Sequence, residues 1–71
     1  MPPKLPRVTA EKVARALRTK GFTVVRQSGS HRIYEDATGR RATVAFHSGQ
    51  VLPPRTLQGI LDDAGLGPDD L

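Results

Sequence analysis

The 71-residue sequence contains no cysteine, which excludes both a disulfide framework and a thiolate metal site. It also has no apolar run near the roughly 18 to 20 residues that a membrane-spanning helix needs. Residues 1–4 lack the apolar stretch of a secretory signal, so we expect a cytoplasmic protein without a membrane partner. A chain this short buries only about 60% of its unfolded surface, and one small core must stabilise it.

Basic side chains outnumber acidic ones by 11 to 7, and the excess lies in the first part of the chain. Residues 1–41 hold ten basic and three acidic side chains, a net charge of +7, whereas residues 42–71 hold one and four, a net charge of −3. Concentrated positive charge attracts polyanions such as nucleic acids. Basic small domains are common, however, and a solvated surface without function is another explanation for this excess of basic side chains.

Two helices are predicted, one near each end of the chain. Thr9 is a typical N-cap residue, and the apolar spacing after it predicts a helix over residues 9–20 that ends at Gly21. Two prolines at positions 53 and 54 interrupt the chain before the second helix, which ends at Gly65. Helical spacing in that segment falls on Leu57, Ile60, Leu61 and Ala64.

The middle of the chain alternates with period two, which predicts three strands joined by short glycine-containing hairpin connections. These strands cover residues 22–27, 30–36 and 41–46 or 41–47. We therefore expect an α+β fold in α-β-β-β-α order: a three-stranded antiparallel sheet with two helices on one face. It forms a single domain over residues 1–71, with a core over 9–66 and tails at 1–8 and 67–71.

Loops at Ser28-Gly29 and around Thr38-Gly39 predict a strand register. This register places Val24, Ile33 and Val44 side by side on the face that the helices cover, with Phe22 and Phe46 on the same face. It places His31 opposite Arg26. The other face is expected to be open to solvent and to carry Thr23, Tyr34, Thr43, Val25, Arg32, Ala45, Gln27, Ser30 and His47.

The motifs of several enzyme classes are missing, including a metal-binding histidine spacing, a G-x-S-x-G elbow, a P-loop and a two-metal carboxylate cluster. What remains is acid-base chemistry on a bound anion, with neither a metal nor another cofactor. His31 suits this role because a neutral imidazole accepts a proton, and Arg26 beside it disfavours the imidazolium. Spacing alone favours the alternative that His31, which shares strand parity with Ile33, is a hydrogen-bonded residue at the rim of the core.

Two further residues are possible accessories. His47 lies where the third strand meets the next loop, and strand parity predicts that it projects to the face opposite His31. Tyr34 is the only tyrosine and is placed to stack a base on the open face, although a solitary aromatic is more often plain strand packing.

The chain resembles the HicA toxins, also called the YcfA-like family, over about residues 9–66. The resemblance is carried by Lys20-Gly21-Phe22, Arg26-Gln27-Ser28-Gly29-Ser30-His31, Gly39-Arg40-Arg41, Val44, His47, Thr56-Leu57, Ile60-Leu61 and Ala64-Gly65-Leu66. It implies a fold similar to the double-stranded RNA-binding domain. It also implies a ribosome-independent endoribonuclease that cleaves mRNA and is neutralised by a HicB antitoxin.

The resemblance also implies that His31 is the catalytic residue. We expect it to take the proton from a ribose 2′-hydroxyl, with Arg26, Arg32 and Lys20 stabilising the phosphorane. The substrate is expected to be single-stranded RNA and the free protein a monomer. The expected RNA contacts are Lys20, Arg26, Gln27, Ser28, Gly29, Ser30, Arg32, Arg40 and Arg41.

Two other classes of function fit the same element order. One is a non-catalytic module that binds double-stranded RNA, although such modules reach a second minor groove by a long loop and hold phosphates with a basic cluster at the last helix. Only two residues separate the first two predicted strands, and Arg55 is the sole basic residue near the second helix. The other class is a docking protein whose basic face binds an acidic partner.

Overall fold

In the computed structural model, which describes residues 7–47 and 49–71, the elements follow the predicted α-β-β-β-α order. They are α1 (Ala10–Thr19), β1 (Thr23–Ser28), β2 (His31–Glu35), β3 (Arg41–Ala45), α2 (Pro54–Ala64) and a C-terminal 3-10 helix (Pro68–Asp70). The predicted tail at 67–71 thus contains a helical turn. The predicted tail at 1–8 lies outside the described residues except for Arg7 and Val8, and Val8 is buried in the core.

Helix α1 begins at the residue that the sequence indicates. The Thr9 hydroxyl oxygen accepts a hydrogen bond from the Lys12 backbone N–H at 3.3 Å, which satisfies one of the free donors of the first turn. Val8 before the cap and Val13 in the helix are both buried, in the positions of a hydrophobic staple. The cap and the staple together fix where the chain enters the helix.

A Schellman motif ends α1 and directs the chain into the sheet. The Phe22 N–H donates to the Leu17 carbonyl at 2.9 Å, and the Gly21 N–H donates to the Arg18 carbonyl at 3.0 Å. Gly21 has a φ of +92°, a conformation that glycine adopts without a Cβ penalty. Phe22 is thereby buried beside Leu17, and β1 starts at the next residue.

The strands form one antiparallel sheet in the order β1-β2-β3, but the predicted register is wrong. Ser28 pairs with His31, so the β1–β2 loop is Gly29-Ser30 rather than Ser28-Gly29. Gly29 has a φ of +57° at the first loop position, where a type II′ turn needs glycine. A β-bulge between Val24 and Arg26 then changes the pairing of β1 by one residue, so that Val24 pairs with Tyr34.

The β2–β3 connection, residues 36–40, is also longer than predicted, because Asp36 organises it. Its Oδ1 accepts hydrogen bonds from the Thr38 hydroxyl at 2.8 Å, the Arg40 N–H at 2.9 Å and the Thr38 N–H at 3.0 Å. Desolvation raises the pKa of Asp36, but these three bonds and the charge of Arg40 outweigh it and lower that pKa below its usual value.

This register exchanges the two faces of the middle strand. Tyr34 pairs with Ala42, and both are buried with Val44 against the helices. The predictions that Ile33 faces the core and Tyr34 the solvent are therefore wrong, because one residue of slip moves a strand's side chains to the opposite face. Val44 and Phe22 are buried as predicted. Val24 is 44% exposed, since every residue of the edge strand β1 is exposed.

The helices pack together on the covered face of the sheet and complete a single hydrophobic cluster. Their buried residues are Ala10, Val13, Ala14 and Leu17 from α1 and Leu57, Ile60, Leu61 and Ala64 from α2. Within the described ranges, no helix is long and apolar enough to span a bilayer. No helix formed by residues 7–47 or 49–71 covers the opposite face of the sheet, which is called here the open face.

Candidate functional site

His31 is the first residue of β2 and lies on the open face. Its neighbours across the sheet are Ser28 of β1 and Ala45 of β3. The side chain is exposed, so solvent and ligands reach the imidazole. His31 and Ile33 project from the same face of β2, as predicted, but this is the open face. The alternative that His31 is a residue at the rim of the core is therefore wrong.

Arg26 was predicted to lie directly opposite His31. It pairs with Ile33 rather than with His31, so the predicted direct pairing is wrong. Residues paired across strands share a face, and His31 and Ile33 are two residues apart on β2, so Arg26 and His31 are diagonal neighbours on the open face. Diagonal neighbours in an antiparallel pair lie about 7 to 8 Å apart, within reach of a long side chain. Arg26 is exposed and has no ion-pair partner among the described residues.

Arg32 lies on the face that the helices cover and not on the open face, where it was predicted. It follows His31 in β2 and pairs with Val44 of β3 and Gln27 of β1. Its guanidinium carbon lies 4.0 Å from the centroid of the Phe46 ring, and both side chains are half-buried. Arg32 is thus held in a cation–π contact on the other side of the sheet from the imidazole.

Two other predicted RNA contacts form intramolecular ion pairs. The Lys20 Nζ lies 3.1 Å from Asp70 Oδ1 and ties the end of α1 to the C-terminal 3-10 helix. The Gly67 N–H and Lys20 together lower the pKa of the Asp70 carboxyl. Arg41 forms a cross-strand pair with Glu35 at the end of the sheet opposite to His31.

Arg40 lies against the end of α2. A Cβ added at Gly65 would come within 2.7 Å of Arg40 Nη1, so the guanidinium lies beside the carboxyl end of that helix. Cations are favoured at this end because the helix dipole leaves partial negative charge there. The loop between β2 and β3 is at the end of the sheet far from His31, and Arg40 is accordingly not part of the cluster around the imidazole.

The turn between β1 and β2 brings the remaining predicted residues to the His31 end of the sheet. Gln27, Ser28 and Gly29 are exposed, and Ser30 is half-buried. The Ser30 carbonyl accepts a hydrogen bond from the Phe46 N–H at 2.7 Å, which ties the end of β3 to the turn. These contacts fix the backbone on both sides of His31.

The structure places the two predicted accessory residues differently, with Tyr34 in the core and His47 at the surface. Tyr34 is fully buried and thus unable to stack a base, which corrects the prediction. Its hydroxyl has no hydrogen-bond partner within residues 7–47 and 49–71. His47 is exposed beyond the end of β3. The prediction that it projects to the face opposite His31 assumed that β3 reaches His47. That argument fails, because β3 ends at Ala45, the residue that pairs with His31. In the described part of the chain, no three acidic or histidine side chains are grouped to hold a metal ion.

Residues 10–66 match the model of the family described as HicA toxin of bacterial toxin-antitoxin. The chain belongs to the HicA toxin family. None of the curated proteins matches it. The family match begins with α1, spans the whole sheet and reaches two residues beyond α2, so it includes His31, Arg26 and the β1–β2 turn. Membership in the HicA family identifies the protein as the toxin of a toxin–antitoxin pair.

Sequence reasoning missed the role of Phe46 as the support of Arg32. The signal was present in the loop between β2 and β3, where Asp36 and Thr38 are residues that bond the backbone of their own turn. A five-residue loop organised by Asp36 would have given the observed β2–β3 register, and that register places Arg32 and Phe46 on one side of the sheet.

Proposed function

We propose that this HicA toxin is a metal-independent endoribonuclease that cleaves single-stranded mRNA with His31 as the general base. The observation that carries the proposal is the exposed imidazole on the open face with Arg26 as its diagonal neighbour. It combines a proton acceptor with a cation at a surface that a polyanion reaches. The family match supports the class of activity, since the resemblance to HicA toxins implies an mRNA-cleaving enzyme.

In the proposed reaction, the neutral imidazole of His31 accepts the proton of a ribose 2′-hydroxyl. The oxygen attacks the adjacent phosphorus in line, and the bond from phosphorus to the 5′-oxygen breaks. The products are a 2′,3′-cyclic phosphate and a 5′-hydroxyl, whose proton comes from the imidazolium or from water. Base catalysis of this kind contributes about 10² to 10⁴-fold in rate.

Arg26 is the residue proposed to stabilise the additional negative charge of the phosphorane. A cation placed where charge develops lowers the barrier more than one that binds the ground state equally well. Arg32 and Lys20 are not proposed for this role, because Arg32 lies on the other face and Lys20 is paired with Asp70. The nucleophile belongs to the substrate, so the sequence of steps requires no metal ion.

Single-stranded RNA is favoured over a duplex as the substrate. The β1–β2 connection has two residues, which is too short to reach a second minor groove, and Arg55 is the only basic residue of α2. We propose further that a HicB-like antitoxin inhibits the toxin by covering the open face. Carboxylates on it would compete with RNA phosphates for Arg26, so salt would weaken both complexes.

The test is cleavage of an RNA oligonucleotide by the purified protein in excess EDTA, with His31→Ala as the variant and His47→Ala as the matched control. Cleavage by the parent and by His47→Ala, with loss of cleavage but retained RNA affinity in His31→Ala, is the expected result. Inhibition by the chelator, or full activity of His31→Ala, would reject the mechanism. A protein that binds RNA without cleaving it would instead be a binding module, and one without RNA affinity would be a docking protein.

A further inference from the structure

The contact between Arg32 and Phe46 is not explained by the proposed cleavage step. The guanidinium carbon lies 4.0 Å from the ring centroid, and no carboxylate forms an ion pair with Arg32 among the described residues. Phe46 packs against the hydrophobic core, and its backbone N–H donates a hydrogen bond to the Ser30 carbonyl. The guanidinium of Arg32 is thereby supported by the Phe46 ring, and the side chain remains partly exposed.

The location of this contact relates it to the proposed catalytic residue. Arg32 directly follows His31, and consecutive side chains of a strand point to opposite faces of the sheet. At this end β1 terminates at Ser28 and β3 at Ala45, and the Gly29-Ser30 turn joins β1 to β2. An RNA strand that crosses this end of the sheet is able to contact His31 on one face and Arg32 on the other.

We propose that Arg32, supported by Phe46, is a stacking platform for one unpaired nucleobase of an RNA whose scissile phosphate lies at His31. The inference rests on the proposed function and adds the part of the substrate that this end of the sheet recognises. Unstacked bases are commonly bound on arginine planes and aromatic rings. Lysine has no planar face, so it cannot replace arginine in this role.

Gln27 adds a polar contact to the platform. It is the cross-strand partner of Arg32 on β1, and it is exposed. Cross-strand partners project from the same face, so the carboxamide of Gln27 is placed to exchange hydrogen bonds with the edge of a base stacked on Arg32. A base in a duplex is not free to enter such a site. The platform therefore selects for single-stranded RNA, independently of the chemistry at His31.

The experiment measures binding in a His31→Ala background, where the RNA stays intact. The probe is an unstructured RNA of about 12 nucleotides, and affinity is followed by fluorescence anisotropy for the parent, Arg32→Lys and Arg18→Lys. Arg18 is an exposed residue of α1 and gives the matched arginine-to-lysine control. One lost base stack predicts a weakening of roughly 5- to 150-fold for Arg32→Lys, against less than about twofold for the control.

A second measurement separates stacking from charge. The same variants are tested on a duplex of equal length and on an RNA series with one abasic nucleotide moved along the strand. Arg32→Lys should not change duplex affinity, and at one abasic position its effect should disappear. A uniform loss on all these ligands would indicate a phosphate contact and overturn the platform, as would unchanged affinity for the intact single strand.

The protein with His31 intact distinguishes failure of the inference from failure of the proposed function. Arg32→Lys should raise KM and leave kcat within about twofold, whereas a lower kcat at unchanged KM would show that Arg32 acts through the fold and overturn the platform. If the parent cleaves nothing but loses RNA affinity on Arg32→Lys, the platform stands and the nuclease is rejected. Phe46→Leu should reproduce the loss, and Phe46→Tyr should restore it, with thermal unfolding confirming that each variant is folded.

Discussion

Tyr34 of β2 lies opposite Ala42 of β3, and both side chains are buried beneath the two helices. The pairing of a large residue with a small one leaves room for the phenol ring at the centre of the core. It also leaves the Tyr34 hydroxyl buried without a hydrogen-bond partner in the described part of the chain. The most buried aromatic ring of the protein therefore carries a polar group that opposes its burial.

Tyr34→Phe is expected to leave the protein equally stable or to stabilise it by up to about 1 kcal/mol, because it removes an unsatisfied buried hydroxyl and keeps the ring. Tyr34→Ala should cost about 3 to 5 kcal/mol, since it opens a cavity in the core. Urea denaturation measures both. A large loss of stability in Tyr34→Phe would mean that the hydroxyl has a partner after all.

The glycines of α2 give a second prediction with opposite signs at two positions. Gly65 ends the helix with a φ of +68°, where an alanine adopts a left-handed conformation that costs about 1 to 2 kcal/mol. The added methyl also displaces the Arg40 guanidinium. Gly59 lies within the helix, and a methyl group added there would meet no atom within 4 Å, so Gly59→Ala should stabilise by about 0.5 to 1 kcal/mol. Chemical denaturation of both variants checks the contrast.

Asp36 makes stability depend on pH in the acidic range. Its folded pKa lies below the unfolded value, so the ionised carboxylate stabilises the fold above about pH 4, and this is lost as the pH falls through the lowered pKa. Asp36→Asn should therefore lower Tm at pH 7 and have a smaller effect at pH 3. Asp63→Asn is the control, because this exposed carboxylate of α2 accepts no hydrogen bond from the described residues. An equal loss of Tm at both pH values would contradict the prediction.

Arg26 and Arg41 provide a matched pair on the sheet for the proposed cleavage. Arg26→Gln should reduce kcat about 10²-fold or more, the effect of removing one group that stabilises developing charge. Arg41→Gln should have a much smaller effect, since Arg41 is paired with Glu35 at the far end of the strands. Single-turnover cleavage at saturating protein measures both. Equal losses would show that the two arginines act only through net charge.

The order of the elements, the start of α1 and the ends of both helices could be predicted from the sequence, because local chemistry determines them. Thr9 caps α1, and Gly21 and Gly65 end the two helices by their backbone conformations. The register could not be predicted, because it depends on which residues enter each turn and on a bulge that only the packed sheet shows. The five-residue loop that Asp36 organises shifts the β2–β3 pairing by one residue and turns Tyr34 into the core, and the bulge in β1 pairs Val24 with Tyr34.

The same dependence limits what could be said of the candidate site. Spacing identified His31 and Arg26 and their common end of the sheet, but the contact between Arg32 and Phe46 follows from the register alone. The partners of Lys20 and Arg40 lie within residues 65–71, beyond the reach of local patterns. A charge count cannot distinguish Lys20, which forms an ion pair, from Arg26, which forms none among the described residues.

The strands follow one another in space in the same order as in the chain, and this has a kinetic consequence. Each hairpin closes across a connection of two or five residues, so little chain entropy is lost before the first pairing contacts form. Topologies built from such near neighbours reach the native state rapidly. In a denatured chain diluted into buffer, the two hairpins should therefore form early, because neither pairing step waits for distant segments to meet.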